Sequence, residues 1–356
     1  EAALRSLPKS LLKALRETYR NIRLVHERQI PQRRLLAGWR GQKILQIFVP
    51  VDSGGLYLLG GRAAYPSTAL MLAVPAKVAG VKRVVACTPL GRDGEVNRVV
   101  LAALRLAGVK EIFRVGGVQA IAAMAYGTES IPKVSKIVGP GNIYVTAAKM
   151  AVYGEVGVEF PAGPTELLVF ADGKAEARLV AADLLSQAEH DPQAVCILLT
   201  TSRRLAEEVS EILRKAEGKV QEALNRWGAI LLVENLREAA EFINAFAPEH
   251  LAVHAVKPWK LIPLLRNVGA VSLGETTPVP ALDYVMGVSH VLPTGGAAKY
   301  ASGISIIDFM RFFTVNSLSP KELKRLRKTV ETLAEAEGLT FHKQAVEARF
   351  KISGGS

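Results

Sequence analysis

The chain is 356 residues long, 49% hydrophobic and 22% charged, the make-up of a globular protein with more than one folding unit and not of a disordered or fibrous one. With 45 Lys and Arg against 33 Asp and Glu the formal charge is +12, and residues 1–44 alone carry eleven basic against three acidic side chains. No stretch approaches the roughly 18 uncharged apolar residues of a membrane span, no secretory leader opens the chain, and the basic charge comes without aromatic interleaving, a recognition-helix pattern or zinc-finger spacing. A solvated basic surface or a subunit contact is therefore expected, with neither nucleic acid nor a membrane as partner.

Residues 8–28 place apolar side chains at helical spacing until Pro31, which predicts an amphipathic N-terminal helix. From about Ile44 short β-branched runs alternate with longer helical patterns, predicting strands near 82–88, 111–115, 135–138, 166–171, 194–201, 229–234, 251–256 and 269–273. Such alternation predicts an α/β fold of parallel sheets covered by helices, arranged as two Rossmann-like lobes before and after about residue 160. Cys87 and Cys196 each lie inside a β-branched run, VVAC and AVCILL, which reads as buried strand in a reducing, cytoplasmic compartment. After Ser302 the strand pattern stops, and Ser319-Pro320-Lys321-Glu322 writes a capping box that opens a helix ending at Gly338, so the tail reads as a helical appendage.

The glycine fingerprint of ordinary dinucleotide sites, G-x-G-x-x-G, is absent after any predicted strand. Three glycine-bearing turns stand at strand ends instead: Tyr57-Leu58-Leu59-Gly60-Gly61, Val115-Gly116-Gly117-Val118-Gln119 and Val138-Gly139-Pro140-Gly141-Asn142. Each is a turn first, and a place where backbone can approach a phosphate or ring second. In AADLLSQAEHDP, Gln187 and His190 fall three apart on one helix face near its C-terminal end; they can grip one ion, or form a plain polar helix end beside Glu189 and Asp191. Glu249-His250 stands at the mouth of a strand, where a histidine can take a hydroxyl proton and a carboxylate can activate water. His254, further along that strand, reads as packing, and His26 carries no assignment. Asp283 and His290 share a glycine- and proline-marked stretch, and His342 follows the end of the tail helix. Gln, His and Asp side chains together offer the mixed nitrogen and oxygen donors that suit zinc without cysteine.

Taken together, the segments AYPSTALMLAVPAKVAGV, RVGGVQAIAAMAYGTESIPKVSKIVGPGNIYV, AGPTELLVFAD, ADLLSQAEHDPQA, NAFAPEHLAV, LDYVMGVSHVLPTGGAAKYASGISIIDF and EGLTFHKQAVEAR resemble histidinol dehydrogenase, in the same order, over roughly residues 44–349. The resemblance implies a zinc-dependent, four-electron oxidation of L-histidinol to L-histidine through bound L-histidinal, with two NAD reduced in turn. It implies zinc ligands at Gln187, His190, Asp283 and His342, a catalytic pair Glu249 and His250, and substrate contacts at Thr165, His290 and Glu337 besides His250 and the ligands. NAD contacts are implied at Tyr57, Gln119 and Asn142. A homodimer is implied too, in which the C-terminal appendage is exchanged and His342 and Glu337 reach the partner's site. On this basis residues 1–56 and 166–304 form a metal- and substrate-binding lobe, 57–165 an NAD lobe and 305–356 a dimerisation tail. A sister dehydrogenase acting on another small polar alcohol is the alternative on the same scaffold. The chain departs from the family at Leu58-Leu59 for Ile-Pro, Thr165 for Ser, Leu282 for Gly and Ser289 for Asn, and it is shorter at the N-terminus than most of the family.

Overall fold

Short β-branched runs, too brief for helices and bounded by turns, become strands buried between layers of helix. The computed structural model describes residues 1–32, 34–38, 40–60, 65–91, 93–160 and 163–351. In chain order the elements are α1 (Ala2–Ser6), α2 (Lys9–Arg28), β1 (Arg34–Ala37), β2 (Gln42–Pro50), β3 (Ser53–Tyr57), α3 (Pro66–Val78), β4 (Arg83–Cys87), α4 (Arg98–Leu106), β5 (Glu111–Phe113), α5 (Gly117–Tyr126), β6 (Lys136–Val138), α6 (Ile143–Ala151), β7 (Gly157–Val158), β8 (Glu166–Ala171), α7 (Ala177–Ala188), β9 (Val195–Thr200), α8 (Arg203–Leu213), α9 (Gly218–Trp227), β10 (Gly228–Leu232), α10 (Leu236–Phe246), β11 (His250–His254), β12 (Ala270–Leu273), α11 (Val279–Tyr284), β13 (Met310–Leu318), α12 (Pro320–Ala336) and α13 (Thr340–Lys351). They divide into two compact units, residues 1–30 with 50–309, and residues 31–49 with 310–356.

The larger unit holds two five-stranded sheets, ordered β5-β4-β3-β6-β7 and β10-β9-β8-β11-β12. Every recorded pairing within them is parallel, with Tyr57 opposite Cys87 in the first and His250 opposite Leu167 in the second. Alternate residues of one strand feed opposite cores, as strand geometry requires. In β8, Leu167, Val169 and Ala171 pack with Val180 and Leu184 of α7 and Val209 of α8. Leu168 and Phe170 turn the other way, onto Ala239, Ala240 and Ile243 of α10. In the first sheet Tyr57, Val85 and Cys87 meet Ile121 and Met124 of α5 and Val145 of α6. The α/β architecture of helix-covered parallel sheets expected from the alternation is present, and both cysteines are buried and unpaired in strands.

In both sheets the strand order reverses once, between β3 and β6 in the first and between β8 and β11 in the second. Such a switch point opens a crevice where neighbouring connections leave in opposite directions. At the first, the carboxyl ends of β3 and β6 deliver Tyr57 and the turn at Gly139 side by side.

The smaller unit has a three-stranded sheet ordered β1-β2-β13, with β1 and β2 antiparallel, followed by α12 and α13. Here the expectation that strands end after Ser302 is corrected: Met310–Leu318 is a nine-residue strand, and the rings of Phe48 and Phe312 meet 5.7 Å apart. Ser319 caps α12 by accepting from the Glu322 N–H at 3.3 Å. The reciprocal half of the capping box is replaced, because the Glu322 carboxylate accepts from Gln42 and Arg325 instead. Those hydrogen bonds, Arg325's first, draw its pKa down to about 2.

Candidate functional site

A polar cluster forms at the amino edge of the second sheet. Glu249 and His250 open β11, Thr165 and Glu166 open β8, and α7, running antiparallel to the strands, ends there with Gln187 and Ala188. His190 lies two residues past the end of α7, tied back by its own N–H to the Gln187 carbonyl at 3.2 Å, and so stands in the turn beyond the helical face expected for it. Asp283 occupies the last turn of the short α11, and His290 follows in the loop beyond it.

The hydrogen bonds run in one direction. The Gln187 amide N–H donates to the Thr165 hydroxyl, and that hydroxyl donates to Oε2 of Glu249, which also accepts from the Glu166 N–H at 2.8 Å. A hydroxyl has one proton to give, so this chain fixes the Gln187 amide with its nitrogen inward and leaves Oε1 free to bind something else. The carboxylate of Glu249 is thereby held by its outer oxygen, with Oε1 lying 3.9 Å from Nε2 of His250. Burial pushes the Glu249 carboxyl up to about 8 against the pull of these hydrogen bonds, and pushes the His250 imidazole down to about 3. His250 is thus a neutral base at any working pH. Its Nδ1 is sealed from solvent without a partner, which leaves Nε2 to exchange a proton.

His290 is fixed differently. Its Nδ1 lies 2.9 Å from the Asp283 carbonyl and its Nε2 2.8 Å from the Thr68 hydroxyl on α3. A carbonyl only accepts, so the proton is on Nδ1 and Nε2 accepts from Thr68. Both nitrogens are engaged, and a ligand would have to take the place of Thr68. Asp283, crowded by protein, has its carboxyl raised to about 7, and no side chain among the described residues hydrogen-bonds it. His190 is exposed and equally without a side-chain partner, though surrounding protein still lowers its imidazole from its ordinary value.

These three open donors, an amide oxygen, an imidazole nitrogen and a carboxylate, are the chemistry zinc takes, one short of a closed tetrahedral set. Among the described residues no three His, Cys, Asp or Glu side chains gather as a complete cage. The remaining expected ligand, His342, and Glu337 lie in the smaller unit, both exposed, Glu337 at the end of α12 and His342 in the first turn of α13. Asp183, which sequence reasoning passed over, and His254, expected to pack along its strand, support the cluster from behind. Asp183, one helical turn before Gln187, lies 2.8 Å from Nε2 of His254, which shares a strand face with His250. This pair pins α7 to β11, and its signal was the repeated four-residue spacing on each element.

The second candidate feature is the crevice at the carboxyl edge of the first sheet. The Tyr57 hydroxyl accepts from the Gly117 N–H at 3.0 Å, joining β3 to the start of α5, in whose first turn Gln119 is exposed. Asn142 caps α6, its Oδ1 accepting from the N–H groups of Tyr144 and Val145 at 3.1 Å each. Two helix N-termini, α5 and α6, therefore begin beside one switch point, an arrangement that favours a phosphate-bearing ligand. Gly61, in the first of the three glycine turns, lies outside the described residues. Among the described residues no helix is long and apolar enough to cross a membrane.

Comparison with known proteins agrees on one family. A profile described as Histidinol dehydrogenase matches residues 1–350. The chain is 47% identical to histidinol dehydrogenase of Synechococcus sp. over 355 residues, covering 98% of this chain and 82% of that one. It is 46% identical to histidinol dehydrogenase of Methanothermobacter thermautotrophicus, covering 99% and 84%. The crystal structure of histidinol dehydrogenase from Elizabethkingia anophelis superimposes with a TM-score of 0.94 at 35% identity, covering 99% of this chain and 83% of that chain.

Proposed function

The chain belongs to the histidinol dehydrogenase family and is an oxidoreductase of histidine biosynthesis, and on that premise we propose that it oxidises L-histidinol to L-histidine in two successive hydride transfers through bound L-histidinal, using zinc and two molecules of NAD, in the cytoplasm. The observation that carries the site assignment is the directed chain from Gln187 through Thr165 to Glu249, ending beside a neutral His250.

Zinc, held by Gln187 Oε1, His190, Asp283 and His342 of the partner subunit, would serve as an anchor for the substrate's imidazole nitrogen. With Nδ1 sealed from solvent and without a partner, Nε2 is the nitrogen that would accept the carbinol proton as the first hydride leaves for NAD, which Tyr57, Gln119 and Asn142 would hold. Glu249, with Oε2 fixed by Thr165 and Glu166, has Oε1 free to take a proton from water as that water adds to the aldehyde. Raised by burial to about 8, this carboxyl is a stronger base than an ordinary one once ionised. His250 releases its first proton to solvent, and then takes the second hydroxyl proton as the resulting gem-diol gives up the second hydride. Glu337 of the partner subunit pairs with the substrate's cationic amine, and His290 reaches the substrate by exchanging its bond from Thr68. The substrate is a cation, and α7 presents its C-terminal, partially negative end to it.

The decisive test measures NADH formed per L-histidinol consumed by zinc-loaded protein, with and without chelator. We expect two NADH per substrate, abolished by chelation and restored by zinc. Absence of turnover in metal-loaded protein overturns the reading, and faster turnover of another small polar alcohol across a substrate panel would favour the sister activity. Mass determination in solution addresses the dimer.

A further inference from the structure

Behind the Gly139 turn lies a buried ion pair that the reaction scheme does not use. Lys149, on the last turn of α6, and Glu159, just after β7, meet at 2.7 Å with both side chains almost fully buried. Their remaining contacts converge on one residue: Glu159 Oε1 accepts from the Gly139 N–H at 2.7 Å, and Lys149 Nζ donates to the Gly139 carbonyl at 3.0 Å. Gly139 has φ of +134°, and a Cβ there would fall 1.9 Å from the Tyr57 carbonyl oxygen. The turn is thus pressed against β3, in a backbone region closed to other residues. Asn142, at the other end of the turn, caps the same helix that carries Lys149.

A buried pair of this kind is weak evidence for added stability, since desolvating two charges offsets most of their attraction. Its geometry here does something more specific. Both polar groups of Gly139 are gripped from one side, and the turn is clamped against the strand that ends in Tyr57. Oε2 of Glu159 is buried without a partner, an unrelieved polar atom that a device serving fold stability alone would not need.

We propose that Lys149 and Glu159 are positioning residues for the cofactor: they set the Gly139–Asn142 turn and its distance from Tyr57, and so the affinity for NAD, without touching the amino-alcohol end of the site. This rests on the reading that NAD lies at Tyr57, Gln119 and Asn142. Lys149→Met combined with Glu159→Leu removes both charges together, so that neither is left buried alone. In the zinc-loaded full chain we expect this variant to bind NADH about tenfold more weakly by fluorescence titration, the size of one charge-assisted hydrogen bond. KM for NAD should rise by the same factor, while zinc content and KM for L-histidinol hold. A folded double variant with NADH affinity unchanged overturns the proposal. So does an equal rise in both KM values, because general loosening would move both. Gln119→Ala separates the two levels: if it weakens NADH binding and the double variant does not, only the positioning role falls, and if neither does, the cofactor reading falls with it. Should the double variant fail to fold, Glu159→Gln keeps the shape and is read the same way, weaker NADH binding with constant KM for L-histidinol supporting the proposal and unchanged NADH binding overturning it.

Discussion

The two sheets of the larger unit share an architecture and use opposite edges of it. The first offers its carboxyl edge, where α5 and α6 begin and where polar backbone is held by a compensated pair, Lys149 with Glu159. The second offers its amino edge, where α7 ends and where Glu249 and His250 are buried and Asp283 half-buried, with no opposite charge beside them. Helix starts favour anions and helix ends favour cations. One fold repeated in one chain thus offers two chemically opposite edges, and on the proposed reading the first takes a phosphate-bearing ligand and the second a metal and a cationic substrate. The uncompensated burial at the second edge is the mark of a site whose missing charge arrives with its ligand.

That contrast is most severely tested at His250. His250→Asn should lower kcat by about 10²- to 10⁴-fold, the range for loss of a general base, with NADH affinity at the other edge unaltered in a binding titration. A fall in NADH affinity would show that the edges are not separate. Thr165→Val interrupts the path from Gln187 to Glu249 and should lower kcat roughly 10- to 100-fold, as for other groups that orient ligands from behind. Thr165→Ser should restore most of it, because the hydroxyl and not the methyl carries the connection.

The smallest effect concerns stability. Glu249 and Asp283 give up protons at about 8 and about 7 when folded, but near the ordinary carboxyl range when unfolded. Between those limits the folded state binds more protons, so metal-free protein should lose stability as pH rises from about 4 to about 8. Glu249→Gln removes one of the two contributions, and should raise the Tm of metal-free protein measurably at pH 8 and hardly at pH 5. A stabilisation equal at both pH values would place the carboxyl's titration in the ordinary range after all.

The parallel strands were legible because burial on both faces makes them continuous apolar runs, as in Cys196–Thr200 and Leu251–Val253. The strand at Met310–Leu318 was not, because all but its first residue are exposed and no core imposes alternation on it. Gly54 and Gly55 hid β3 for a different reason, since they leave this buried strand without a β-branched run. Within the site, Glu249-His250 before a strand and Gln187 near a helix end could be read locally. Thr68 against His290 could not, since 222 residues separate them and no local period reports such a contact. Lys149 was half visible: it falls with Val145 and Val152 on the apolar side of α6, a charge where the pattern calls for none.

Cys87 sits in the first sheet and Cys196 in the second, each thiol raised by burial to about 12 and so inert while its strand stays closed. With no other cysteine in the chain, they form a pair of internal clocks, one per sheet. Alkylation under native conditions, resolved by peptide, would time the opening of the first sheet and of the second independently. It would thereby report which half of the molecule each ligand tightens.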